Sequence, residues 1–325
     1  MNWHNSLDKL LNQLAQGLSL TECEQAYLAE YLPKDLLSIN EGAVFQLIPQ
    51  IYPRLQEFVC RVAINLSWQN LWRFYAPLAV FLLGQKPPFC LGIVGMQGTG
   101  KTTLSLLLKQ ILEICDRRVL CLSLDDLYKT YSDRQRLQQD DPRFRWRGVP
   151  HTHDVELGIE LFTAIRHNRY PLSVPRFDKS LHQGAGDRTT PEIINDPLDM
   201  VLFEGWLVGA QCLANLPESA SQFTRDCNQK LRDYQPLWQF VDYLVALIPS
   251  DYQYSLQWRQ SAEIKQIEQG KGGMSPAEIE AFVHYFWQAL PPAIYLPDIA
   301  KRANLVVHLD SDHQVCHITT GFLGN

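Results

Sequence analysis

Apolar residues recur at spacings of three and four through "SLDKLLNQLAQ", "TECEQAYLAEYL" and "AVFQLIPQIYPRLQEFVCRVAINL", so residues 1 to about 85 predict helices. Thr21 and Glu24 have the spacing of a capping box for the second of them. "GQKPPF" ends the pattern, and Pro87-Pro88 mark a boundary. From Phe89 the period changes. Short continuous apolar runs, "FCLGIVG", "RVLCLSL", "LDMVLFEG", "YLVALIP" and "NLVVHL", alternate with helical stretches, as in β-α-β units around a parallel sheet. The expected architecture is α/β, a doubly wound, mainly parallel sheet with helices on both faces over 86–325, carrying an N-terminal helical extension over 1–85. A long polar region, 125–195, and a helical region, 210–300, lie between the runs. A polar stretch of that length in a compact domain reads as functional loops or as disorder.

Composition changes this picture little. Hydrophobic residues make up 46% of the 325 and charged residues 20%, ordinary for a folded globular protein. A net charge of −6 argues against a broad face for nucleic acid, which needs clustered Lys and Arg, but leaves room for a small anion in a local basic pocket. No apolar run is long enough to span a membrane, so no membrane partner is expected. The N-terminus lacks the basic-then-apolar order of a secretory signal. Eight cysteines, Cys23, Cys60, Cys90, Cys115, Cys121, Cys212, Cys227 and Cys316, form no C-x-x-C pair and read as buried thiols in a reducing compartment, with the cytoplasm as the default.

The chemistry begins at Gly95. "GMQGTGKT", Gly95 to Thr102, follows an apolar run and opens "TLSLLLKQILEI", the strand-loop-helix context that G-x-x-x-x-G-K-S/T requires. Gly95, Gly98, Thr99, Gly100, Lys101, Thr102 and Thr103 are therefore candidates to cradle a nucleoside triphosphate, with backbone N–H groups and a helix N-terminus facing the phosphates. Lys101 would reach the β- and γ-phosphates and Thr102 would hold Mg²⁺. The loop alone does not separate a kinase from a GTPase or a motor.

Two acids narrow it. Asp125 and Asp126 close the next run, and in open α/β sheets ligands collect at the carboxyl ends of strands. One of them can accept the proton of an acceptor hydroxyl, and the other reading is a turn cap. Glu204 ends "LDMVLFEG" as an acid at a strand end, a position for holding Mg²⁺ directly or through water.

"LSLDDLYKT" after such a loop resembles the uridine kinase, phosphoribulokinase and pantothenate kinase group of P-loop kinases, and so does a strand ending in "EG". The resemblance implies the P-loop kinase fold, Asp125 as base and Mg²⁺ organiser, and Asp126 as its support. "RWRGVPHTHDVELGIELF", "VPRFDKSLHQGAGDR", "FEGWLVG" and "WRQSAEIKQIEQGKGGMSPAEIEAFVHYF" together resemble the D-glycerate 3-kinases of plants and cyanobacteria, over roughly residues 90 to 310. That family's loop reads A-P-Q-G-x-G-K-T, whereas Gly95-Met96 stand here, a change that spares the phosphate-holding residues.

The resemblance implies ATP and Mg²⁺ as cofactors, D-glycerate as the small-molecule partner, phosphorylation at its 3-hydroxyl, and an acceptor site within 125–195. Mg²⁺ would be held by Thr102, Asp125 and Glu204. Arg147, His153, Arg176, Asp178, Lys179 and Arg188 are the candidate acceptor-binding residues, and Arg176 and Arg188 stand out because they lie inside the family-like segments. A carboxylate-bearing acceptor asks for such cations, and Arg offers it a planar fork. His153 reads equally as a cap or packing residue beside Asp154. Arg259 matches the lid arginine of this kinase group, in a helical lid over 210–300, and reads equally as an ion pair with Glu263. "KRANLVVHL" matches the place where the related kinases pass a loop by the adenine. The N-terminal helices carry no motif and leave packing or homo-oligomerisation open. A kinase for a nucleoside, pantothenate or another sugar acid is the near alternative. A P-loop switch with no acceptor is the distant one, and the guanine-reading N-K-x-D is absent.

Overall fold

The computed structural model describes residues 3–33, 38–64, 66–268 and 274–321. All five apolar runs are strands of one six-stranded sheet: β1 (Phe89–Gly95), β2 (Val119–Ser123), β7 (Met200–Gly205), β8 (Tyr243–Pro249) and β9 (Leu305–Leu309). The sixth, β10 (Val315–Thr319), pairs antiparallel with β9 at the edge, while the other pairs are parallel. The order β10-β9-β8-β1-β7-β2 makes β1 central. The chain leaves it first to one side and later to the other, so the crevice for a ligand opens at its carboxyl end.

Alternate residues of each strand feed two cores, which is why the strands read as unbroken apolar runs. Leu91, Ile93, Leu202, Val245, Leu247 and Val307 join one cluster, and Cys90, Val94, Val201, Phe203, Leu244, Ala246 and Val306 the other. The first face is covered by helix Lys101–Ile114 and by the N-terminal helices Trp3–Ala15, Glu41–Val62 and Ala76–Leu83. Helix Glu41–Val62 presents Val44, Leu47, Ile48, Ile51, Leu55 and Val59 on one buried stripe and runs through Pro49 and Pro53. The capping box at Thr21 forms, with the Thr21 side chain accepting from Glu24 N–H and the Glu24 carboxylate accepting from Thr21 N–H. The N-terminal segment thus buries the apolar face that lies behind the Gly95–Thr102 loop.

Region 125–195 is more ordered than its polarity suggests. It holds helices Tyr131–Asp140 and Val155–Arg166 and two small hairpins, β3 (Leu172–Val174) with β6 (Glu192–Ile194) and β4 (Phe177–Asp178) with β5 (Asp187–Arg188). Helix Tyr131–Asp140 reads "YSDRQRLQQD" and buries only Arg134, so it has no apolar period to find. The thiol reading is also corrected in part. All eight cysteines are unpaired, but only Cys90 and Cys227 are buried, while Cys23, Cys60 and Cys316 are exposed. Among the described residues no helix is long and apolar enough to cross a membrane.

Candidate active site

β1 delivers the chain to the loop. Gly98 and Gly100 have φ of 79° and 85°, left-handed values that cost an L side chain about 1–2 kcal/mol. A Cβ on Gly95 would fall 2.5 Å from Thr99 Oγ1, and one on Gly98 would fall 2.5 Å from Trp258 Cβ. Gly100 starts helix Lys101–Ile114 without a side-chain cap, so the first N–H groups face the loop. Thr99 Oγ1 and Lys101 Nζ both donate to Met96 O at 2.9 Å. Thr103 lies half-buried in the first helical turn.

The carboxyl ends of β7 and β2 bring the acids alongside. Ser123 is in register with Glu204. Buried Glu204 accepts a hydrogen bond from Thr102 Oγ1 at 2.9 Å. Burial pulls the Lys101 pKa down, the Glu204 and Asp125 carboxylates pull it back, and the Lys179 charge adds to the lowering. Lys101, Lys179, Asp125 and Glu204 therefore form one electrostatic cluster. The hydroxyl of Thr102 and the carboxylates of Glu204 and Asp125 are hard oxygen donors of the kind Mg²⁺ takes.

Asp125 and Asp126 part company in the turn Leu124–Leu127. Asp126 Oδ2 accepts from Ser123 N–H at 3.1 Å and completes a capping box, and it also takes Arg176 Nη1 at 3.0 Å. Asp125 Oδ1 accepts from Tyr128 Oη at 2.7 Å, and its Oδ2 lies 2.6 Å from Lys179 Nζ. Burial alone would raise the Asp125 pKa, but the Lys179 charge and hydrogen bond, with Tyr128, hold it at about 2.

The acceptor-side candidates separate into groups. Lys179 touches the cluster. Buried His153 stacks on Tyr128 with centroids 4.7 Å apart and shares a 2.7 Å hydrogen bond with Tyr234 Oη through Nδ1. Burial drives its pKa down to about 3 against the attraction of Asp125, so the ring is neutral. Arg147 donates to Gly184 O and Ala185 O at 2.7 and 3.0 Å and lies over the Tyr128 and Phe177 rings. The sequence favours Arg176 and Arg188 as ligands of an anion, yet the protein's own acids occupy both. Arg176 bridges Asp126 and Glu192, and Arg188 Nη2 donates to Asp154 Oδ2 at 2.8 Å while its Nε donates to Tyr128 O. Asp178 is a turn residue, its Oδ1 accepting from Ser180 N–H and Oγ. Glu192 and Asp154 come from separate segments, so no local spacing announces these pairs.

Helix Tyr254–Glu268 lies directly on the loop through Trp258, which is buried. Arg259 Nη2 sits 2.6 Å from Glu263 Oε2, the i,i+4 pair, with its guanidinium 6.0 Å from the Phe282 ring centroid. Residues 269–273 of the same segment lie outside the described residues. Four residues absent from the motif reading complete the site: Tyr128, Tyr234, Trp258 and His313. His313 Nε2 lies 2.7 Å from Gly98 O, and its ring stacks on Trp258 at 4.2 Å. Of the four, Tyr128 and Trp258 lie inside quoted segments, "LSLDDLYKT" and "WRQSAEIKQ", and Tyr128 also stands three residues from Asp125, whereas Tyr234 and His313 had no local signal. Beside the loop, a small apolar pocket is lined by Met96, Trp206, Phe286, Leu290 and Tyr295 among others, with no charged wall to receive an anion.

No protein-family model matches the chain. It is 31% identical to the uncharacterised kinase mug58 of Schizosaccharomyces pombe, over 68% of this chain and 86% of that one. It is also 31% identical to the chloroplastic D-glycerate 3-kinase of Arabidopsis thaliana over 64% of this chain, and spans about half, 49%, of that relative's length. The structure of the D-glycerate 3-kinase from Cryptococcus neoformans superposes with a TM-score of 0.65 at 25% identity, covering 85% of this chain and 98% of that one. The donor loop, the acids at the ends of β2 and β7, and these relatives agree, and the chain belongs to the family of P-loop kinases that includes mug58, and is similar to the D-glycerate 3-kinases.

Proposed function

We propose that the protein transfers the γ-phosphoryl group of ATP to the 3-hydroxyl of D-glycerate, giving 3-phosphoglycerate and ADP. The observation that carries this reading is the Asp125–Lys179 pair beside Lys101: a carboxylate to orient a hydroxyl, and a cation 2.6 Å away to meet the acceptor's carboxylate. The likeness to the Arabidopsis and Cryptococcus D-glycerate 3-kinases supports the choice of acceptor. A neutral nucleoside would have no use for Lys179.

Lys101 neutralises the β- and γ-phosphates held by the loop N–H groups. Thr102, Glu204 and Asp125 are the residues that would hold Mg²⁺, which when bound would offset the charge of the phosphates. Asp125 orients the acceptor hydroxyl and receives its proton as the phosphoryl passes across. Lys179 turns from Asp125 to the acceptor carboxylate, and losing that charge raises the basicity of Asp125 at the moment it is needed. Arg259 leaves Glu263 to meet the transferring group, and Trp258 shuts the loop from water. Arg147, Arg176, Arg188 and Asp178 shape the acceptor wall through their own pairs. With eight unpaired thiols the reaction is assigned to a reducing compartment, the cytoplasm.

The test is ADP release by the purified full chain across a panel of D-glycerate, L-glycerate, pantothenate, uridine and no acceptor. Release that depends on D-glycerate supports the reading, and equal release without any acceptor overturns it.

A further inference from the structure

His153 Nε2 is a buried polar atom without a hydrogen-bond partner among the described residues, in a side chain only 2% exposed. An orphaned buried group costs about 1–3 kcal/mol, so its persistence asks for a reason. Which of donor or acceptor it is follows from the other end of the ring. Tyr234 Oη accepts from His151 N–H at 3.1 Å and lies 2.7 Å from His153 Nδ1, and it has no other side-chain or carbonyl acceptor nearby among the described residues. Were Nδ1 protonated, it would have to donate to Tyr234, whose own buried O–H would then have nowhere to go. Two orphans, the tyrosine proton and an Nε2 lone pair, would result. With Tyr234 O–H donating to Nδ1 there is one, the Nε2–H.

We infer that Tyr234 is a positioning residue that fixes His153 as the neutral Nε2–H tautomer, giving the site a hydrogen-bond donor for a non-reacting oxygen of a small hydroxy-acid acceptor. This rests on the acceptor reading above. The location fits: the ring stacks on Tyr128, whose hydroxyl donates to Asp125, and the Asp125 charge is felt at the ring. Neutrality is useful there. A second cation would depress Asp125 further, as Lys179 already does, whereas a neutral N–H binds oxygen without weakening the base. Nε2 is closed to water in the free protein, so binding of the acceptor must itself open the way to it.

The tautomer is read by ¹⁵N imidazole spectra of the full chain without acceptor. His153 protonated at Nε2 is expected, and protonation at Nδ1 overturns the proposal whatever the acceptor. Tyr234→Phe should shift that ring toward a mixed tautomer and raise KM for D-glycerate roughly three- to tenfold, the size of one neutral hydrogen bond, with KM for ATP unmoved. His153→Gln, which keeps an N–H donor, should recover most of the KM lost in His153→Leu. Equal KM values in those two variants, in folded protein, overturn the donor role. An Nε2-protonated ring in an enzyme inert toward D-glycerate counts against the acceptor reading while the tautomer assignment stands.

Discussion

Lys179 Nζ lies 2.6 Å from Asp125 Oδ2, and this pair sets the pH behaviour of the candidate base. The Asp125 pKa is depressed to about 2, so the carboxylate stabilises the fold above its unfolded value of 3.8 and that contribution is lost as pH falls from 3.8 through 2. In the free enzyme Asp125 therefore stays ionised down to about pH 4, and kcat/KM should show no acid limb from it above that point. In Lys179→Ala the chief lowering influence is gone and burial acts unopposed by it, so an acid limb should move up into the measurable range. Profiles of kcat/KM that coincide for the two proteins would remove Lys179 as the residue that tunes Asp125.

Asp125→Asn keeps an oxygen for the Tyr128 hydroxyl and loses the charge. Turnover should fall by about 10²- to 10⁴-fold, the usual contribution of a positioned base, while nucleotide affinity changes little because Lys101 and the loop are intact. Titration calorimetry with ATP and steady-state rates separate the two effects. Unchanged turnover would disprove the assignment.

The strands and the donor half of the site were legible because each is written locally. A buried parallel strand is a continuous apolar run, and the loop's glycines, Lys101 and Thr102 are fixed by one turn of backbone. Capping at Thr21 and at Ser123–Asp126 is likewise a three-residue matter. The acceptor half was legible in its residue types but not in their pairing. Arg176 and Arg188 look like anion ligands until Glu192, Asp126 and Asp154 are brought to them. Tyr234 reaches His153 across 81 positions, and His313 reaches Gly98 across 215. The edge strand β10 was missed because "VCHIT" alternates burial weakly and lies beside only one neighbour.

Gly98→Ala carries two penalties that can be told apart. Its φ of 79° disfavours any Cβ, and the Cβ would also stand 2.5 Å from Trp258 Cβ. ATP affinity should fall at least about tenfold, since strain and clash together exceed the roughly 1.4 kcal/mol that a tenfold change represents. Both atoms in the clash are Cβ, so Trp258→Gly in the same chain should relieve it and leave the backbone strain, giving partial recovery. No loss of affinity in Gly98→Ala would overturn both the left-handed backbone at Gly98 and the contact of helix Tyr254–Glu268 with the loop.

Asn70 ties the N-terminal segment to the nucleotide side. It is buried, its Nδ2 donates to His313 O at 2.9 Å and its Oδ1 accepts from Val315 N–H at 2.9 Å. Arg73 donates to the carbonyls of Val315 and Cys316, and Ser67 Oγ to Gln314 Oε1. The turn so held places His313 on Gly98 O and against Trp258. Asn70→Leu leaves two backbone groups without partners at about 1–3 kcal/mol each, so Tm should drop by several degrees. If the turn also supports the loop, KM for ATP rises in Asn70→Leu and the acceptor's KM does not. His313→Phe keeps an aromatic ring for Trp258 and loses only the bond to Gly98, so it should raise KM for ATP with little change in Tm. A KM for ATP that stays constant in both variants would confine the N-terminal helices to covering the sheet, and would remove them from nucleotide binding.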